Sequence, residues 1–239
     1  SKGIGYEIAK NFLMLDANVC ICSRNRTNLK NAKKKLLKIA SEKKILCVQY
    51  DTSNIKKQNY LIKLIKKKFN SNIDILINNT GGPKSVKIEN TSLNDWKKTI
   101  NSNLLGAIML SKKVIKNMKK NNWGRIINLT STTAKEPAEN MVLSNVTRAA
   151  LSSFSKTLSL EIGKYGITVN TILTGGCLTD RLFNLIKHNS KNEKEFKKQL
   201  KNIINSTPLK KIAEPYEFIQ MIIFLSSENA SYINGVAIP

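Results

Sequence analysis

The chain is short of histidine, cysteine, aromatic residues and acid. Its 239 residues include one histidine, His188, in a stretch dense in charge. A solvated surface histidine is expected there rather than a catalytic one. Four cysteines, Cys20, Cys22, Cys47 and Cys177, show no metal-ligand spacing. No metal site is therefore expected. Three of the four fall in apolar strand-like segments, where a reduced thiol behaves as a small buried residue. A reducing, cytoplasmic location without disulfides is the expectation. No apolar run reaches the roughly 18 residues of a membrane span, and no signal peptide opens the chain. No membrane partner is expected.

Acidic residues number 16 against 40 lysines and arginines, a formal charge of +24. Such an excess raises nucleic acid as a partner. Aromatic residues make up only 6% of the chain, and none interleave with basic ones as a stacking platform would. The lysines instead accompany asparagine and isoleucine throughout. They fall on outer faces of expected helices, as in KNAKKKLLKIASEKK and LIKLIKKKF. Nucleic-acid binding is not expected.

What the chain does have is a regular alternation of apolar strands and amphipathic helices. SKGIGYEIAKNFLML places Gly3 and Gly5 at a helix start, with Ile4, Ile8, Phe12 and Leu15 apolar. A glycine pair there lets a phosphate approach free backbone N–H groups. Such a loop ordinarily follows a strand, so the first strand is expected to lie before residue 1. NGVAIP stops inside a strand pattern, so truncation is expected at both ends. Strands are expected at 18–24, 45–51, 73–79, 124–130, 167–173 and in SYINGVAIP. Helices are expected at 27–41, 54–69, from Asn94 or Ser92 to about Lys120, from Met141, at 179–204 and at 214–226. No repeat or linker interrupts them. The expectation is one α/β domain over 1–239: a doubly wound Rossmann-type parallel sheet with helices on both faces.

The stretch STTAKEPAENMVLSNVTR sets Ser131 at the end of an apolar strand. Ser144 follows thirteen residues later and Arg148 four after that, on one helical face. This layout resembles the short-chain dehydrogenase/reductase family, in which a serine precedes Tyr-x-x-x-Lys. The tyrosine position here holds Ser144, and the lysine position holds Arg148. SKGIG (Ser1, Lys2, Gly3, Ile4, Gly5) matches the last five positions of the family's Thr-Gly-x-x-x-Gly-x-Gly loop. Asn78-Asn79-Thr80-Gly81 is similar to its Asn-Asn-Ala-Gly. Asp51 resembles the aspartate that meets the adenine amino group. Asn103 resembles the helix asparagine whose carbonyl holds a relay water. Thr179 resembles the threonine that binds the nicotinamide carboxamide, and Thr174-Gly175-Gly176 replaces the usual Pro-Gly.

The resemblance covers essentially the whole chain and is nearest to the 3-oxoacyl-[acyl-carrier-protein] reductases. It implies cofactor contacts from residues 1–5 and from Arg24, Asp51, Asn79, Gly81, Arg148 and Thr179. It implies catalytic roles for Ser131, Ser144, Arg148 and Asn103. Arg24 ends the second strand, where an arginine accommodates the 2′-phosphate of NADP and an acid would bind the 2′-OH of NAD. Lys2 is a second nearby cation, and NADP(H) is the cofactor expected. The family's phenol, tuned by a neighbouring lysine, protonates the developing alkoxide. An aliphatic hydroxyl is a far weaker acid, so Ser144 cannot simply take over that role.

Three readings stay open: a reductase with an altered relay, in which water or Lys135 supplies the proton; an NADP-binding sensor or partner protein with little turnover; and a non-redox isomerase or lyase. The resemblance also implies a homodimer or homotetramer built on the helices from Asn94 and Met141. The substrate would be a small molecule or an acyl thioester, with an acyl carrier protein as a candidate partner suited to the positive charge. The segment 178–208 would cover the site.

Overall fold

The structure is a computed structural model that describes residues 1–188 and 190–239; Asn189 and the side chain of His188 lie outside it. The surface reading of His188 therefore falls outside the described residues. The chain opens on α1 (Gly3–Met14) and continues through β1 (Val19–Ser23), α2 (Arg26–Leu36), β2 (Ile45–Gln49) and α3 (Gln58–Phe69). Next come β3 (Ile75–Asn78), α4 (Leu93–Ile100), α5 (Gly106–Asn121), β4 (Gly124–Leu129), α6 (Val142–Ile162) and β5 (Ile167–Ile172). It ends with α7 (Asp180–His188), α8 (Glu193–Ser206), α9 (Pro215–Leu225) and β6 (Ala237–Ile238).

All strand pairings among the described residues are parallel. β4 and β5 are buried along their whole length, as required of strands covered by helices on both faces. β1 pairs with β2, and a second sheet runs β3-β4-β5-β6. β1 and β3 are not bonded to each other.

Helix α1 ties the two sheets together. Its Ala9 and Leu13 pack with Ile21 and Ile45, while its Ile8 packs with Ile127, Ile172 and Ile219. Each such fully buried aliphatic side chain contributes about 1.5–3 kcal/mol. A third cluster joins Leu76, Val114, Ile126 and Val169.

The helix boundaries differ from expectation where side chains intervene. α2 starts a residue early and stops by Leu36, with the Asn25 side chain accepting from Asn28 N–H. The helix expected from Asn54 begins as a 3₁₀ turn, Ile55–Lys57, capped by the Asn54 side chain. Ser92, not Asn94, caps α4, in a reciprocal box with Asp95. The long helix expected to reach Lys120 is interrupted by a π turn at Asn101–Leu105. The cover segment forms two helices rather than one, because the Asn192 side chain accepts from Glu195 N–H and starts α8 afresh. The final strand shrinks to Ala237–Ile238, since Gly235 turns at φ +73° and the Asn234 side chain bonds Val169 N–H in place of backbone.

Candidate active site

In parallel sheets every strand delivers its carboxyl end to the same edge, where α/β proteins bind ligands. Ser23 and Arg24 follow β1, Asp51 follows β2, Asn79 to Gly82 follow β3, Ser131 follows β4, and Thr174 to Thr179 follow β5. Turns tie these ends together. Thr174 Oγ1 donates to the Thr130 carbonyl at 2.7 Å, and Thr132 N–H to the Thr174 carbonyl at 3.2 Å.

The α1 N-terminus fits the phosphates of a dinucleotide. Lys2 occupies the cap position, and no side chain among the described residues caps the helix, so its first N–H groups lack an intrahelical partner. Gly3 sits at φ +50°, and a Cβ there would stand 3.3 Å from Thr179 Cγ2. A Cβ on Gly5 would stand 2.9 Å from Asn79 Nδ2. The structure thus brings Gly3, Gly5, Asn79 and Thr179 together.

Ser1 Oγ donates to Ser23 Oγ at 3.0 Å. Ile4 turns into the core against the Ile8 cluster, leaving only its backbone for a ligand. Arg24 is exposed and its side chain makes no hydrogen bond or ion pair among the described residues. Lys2, expected beside the 2′-phosphate, lies 3.8 Å from the Asp180 carboxylate, both side chains being exposed. Burial pushes the Asp51 carboxyl up, but hydrogen bonds from Ser53 N–H and Oγ, together with the charges of Arg24 and Lys98, hold the group below its ordinary value. Gly81 is exposed, with open space where a Cβ would stand.

Ser131 Oγ accepts from Thr133 N–H at 3.3 Å and lies 3.1 Å from Thr133 Oγ1. Its own proton is left to donate. The turn that follows, Thr132–Ala134, packs on α6, and Lys135 at its end is exposed. Ser144 on α6 is only 4% exposed, and its hydroxyl makes no hydrogen bond among the described residues. Arg148, one turn on, is 6% exposed. Its Nη1 donates to the Leu129 carbonyl at 2.8 Å and its Nη2 to the Thr80 carbonyl at 3.1 Å. Burial, with a smaller push from Arg181, lowers its pKa to about 10. Asn103 lies in the π turn, which packs on α6. It is buried, its Oδ1 accepts from Ser102 Oγ at 3.1 Å, and its Nδ2 is unpaired among the described residues. π turns frequently mark functional positions.

Arg181 was missed in the sequence, where it is one cation within a charged helix. In the structure its guanidinium lies against Gly82. Nη1 is 3.2 Å from the Gly82 carbonyl and Nη2 3.4 Å from that of Pro83, and a Cβ on Gly82 would meet it at 2.0 Å. The only earlier signal was its position two residues after Thr179.

Parallel strands with a bare glycine helix start, and a serine, a buried cation and an asparagine gathered at the strand ends, define an α/β protein built to hold a dinucleotide. The chain belongs to the short chain dehydrogenase family, whose model matches residues 1–190. It is 31% identical over 239 residues to NADPH-dependent reductase BacG of Bacillus subtilis, covering 98% of this chain and 91% of that one. It is 35% identical over 176 residues to a 3-oxoacyl-[acyl-carrier-protein] reductase FabG of Buchnera aphidicola, covering 74% and 67%. Among solved structures it is similar to L-sorbose reductase from Gluconobacter frateurii complexed with NADPH and L-sorbose. There the TM-score is 0.90 at 28% identity, over 99% of this chain and 90% of that one.

Proposed function

We propose that this chain is an NADPH-dependent carbonyl reductase, acting on a 3-oxoacyl thioester or similar ketone through a proton relay altered at Ser144 and Arg148. The observation that carries it is the pairing of a bare, glycine-lined α1 N-terminus with Ser131, whose proton is free to donate. BacG, FabG and L-sorbose reductase, to which the chain is similar, are all reductases, which supports the same chemistry.

NADPH supplies a hydride. The N–H groups of the Gly3–Gly5 turn hold its diphosphate, and Arg24 the 2′-phosphate. Thr179 and Asn79 border the nicotinamide. Ser131 Oγ donates to the substrate carbonyl oxygen, and the Ser144 hydroxyl offers a second donor. Arg148 stays charged at neutral pH even with its pKa lowered to about 10, so it favours the developing negative oxygen without giving up a proton. Water held near Asn103 supplies that proton; Lys135 is the alternative source. The reading takes 1–239 as one domain, in a reducing cytoplasmic setting consistent with its four free cysteines. It takes the chain to act as a homodimer or homotetramer, with an acyl carrier protein as the partner suited to its charge.

A second reading, an NADP-binding protein with little turnover, is favoured by one observation. Arg148 commits two of its five donors to main-chain carbonyls beside a serine that is a poor acid. NADPH absorbance, followed with a 3-oxoacyl thioester at high enzyme concentration, separates the two. Steady oxidation supports the reductase. NADPH binding with oxidation only in Ser144→Tyr/Arg148→Lys supports the binding protein, and no NADPH binding sinks both.

A further inference from the structure

Two guanidinium groups meet on one loop. Arg148 donates to the Thr80 carbonyl, and Arg181 lies against those of Gly82 and Pro83. Three acceptors within four residues of chain hold both cations over the same stretch. Each guanidinium carries five donors in a fixed fork, and these contacts use two on each. Among the described residues neither has a carboxylate within ion-pair distance. Asp180, beside Arg181 in sequence, faces Lys2, and Asp95 is taken by Lys84.

Like charges gathered and partly desolvated without a counter-charge are costly, and an anion relieves the cost. Burial lowers the pKa of Arg181, and burial together with the charge of Arg181 lowers that of Arg148. Leu185, four residues after Arg181 and on the same face of α7, lines a cavity of about 450 Å³ with Val86, Asn140 and Met141. Among the described residues its lining carries one carboxylate, Glu139, and one ammonium, Lys87, while both guanidinium groups stand outside it. Space for a small molecule thus lies one helical turn along α7 from Arg181.

Resting on the reductase reading, we infer that the substrate is a ketone bearing an anionic oxygen group, carboxylate or phosphate, and that Arg181 is the specificity residue that binds it. Arg148 contributes charge behind it. The Arg181 fork presents parallel donors to either anion. Of the two substrates named in the reductase reading, the similar ketone is then preferred to the 3-oxoacyl thioester.

The test compares a 2-oxo acid, its methyl ester, a ketose phosphate and a 3-oxoacyl thioester in NADPH oxidation, for the natural protein, Arg181→Gln and Arg181→Lys. NADPH affinity is read separately by fluorescence. Binding of oxamate against neutral oxamide is read by calorimetry, with and without NADPH. The expected result is at least tenfold preference in kcat/KM for one anionic ketone over the neutral ones. Arg181→Gln reduces that preference about tenfold or more, and Arg181→Lys restores part of it. Preference for the acid or for the phosphate distinguishes the two anions. Equal use of neutral and anionic ketones overturns the inference and leaves the reductase standing. So does a loss of NADPH affinity in Arg181→Gln as large as the loss of substrate preference, since Arg181 would then serve the cofactor. Oxamate binding that needs Arg181, with no oxidation of any ketone, sustains the anion site and sinks the reductase. Oxamate binding no tighter than oxamide, with no preference for the ketose phosphate, sinks the anion site.

Discussion

The guanidinium of Arg148 donates to the carbonyl of Leu129 at 2.8 Å, and its second arm reaches Thr80 at 3.1 Å. One side chain on α6 thus clamps the end of β4 to the loop after β3. A lysine ammonium is a compact charge without a planar fork and cannot bridge both carbonyls in the same way. Arg148→Lys is expected to lower stability by about 1–3 kcal/mol, the range for a lost hydrogen bond to a charged group. Urea unfolding checks it. An unchanged midpoint would mean that the clamp contributes nothing.

Gly106 is pressed against the loop after β2. A Cβ there would stand 2.5 Å from the Thr52 carbonyl oxygen, and backbone cannot swing aside as a side-chain tip can. The Gly106 carbonyl also accepts from buried Gln58 Nε2 at 2.9 Å. Gly106→Ala is expected to cost about 1–3 kcal/mol through overpacking, with the urea midpoint lowered at an unchanged slope.

The alternation of strands and helices was legible because buried parallel strands such as IDILINN and GRIINLT read as continuous apolar runs. The place of Ser131 just after β4 was legible because the apolar run gives way there to small hydroxyl residues, whereas Thr179 was singled out by the family resemblance alone. The π turn at Asn101–Leu105 was not legible. It depends on α5 meeting Thr52, a residue some fifty positions away in sequence. Arg181 was hidden for the same reason. In a chain with 40 basic residues, its composition gives no hint that it lies on Gly82.

The capping box of α4 makes a pH prediction. Hydrogen bonds from the Lys84 ammonium, then from Ser92 N–H and Oγ, hold the Asp95 carboxyl down to about 2, from an ordinary 3.8. A depressed folded value means that the carboxylate stabilises the fold above the ordinary value, and that this contribution is lost as pH falls toward 2. Thermal midpoints measured between pH 4 and pH 2 should fall less steeply in Asp95→Asn than in the natural protein. Parallel slopes would show that the box adds nothing.

Gly5 separates cofactor binding from folding. A Cβ there would lie 2.9 Å from Asn79 Nδ2, the far end of an exposed, rotatable side chain. That amide can move aside, so Gly5→Ala should alter stability by no more than about 0.5 kcal/mol. Yet the methyl group and the displaced amide would both occupy the approach to the α1 N-terminus, where the diphosphate is proposed to sit. NADPH affinity should therefore weaken by about tenfold, equivalent to about 1.4 kcal/mol. Fluorescence titration alongside urea unfolding reads both quantities. Weakened binding at intact stability ties the Gly5 backbone to the phosphates. Intact binding would move the phosphates away from α1, and a matched loss of both would make Gly5 a packing residue alone.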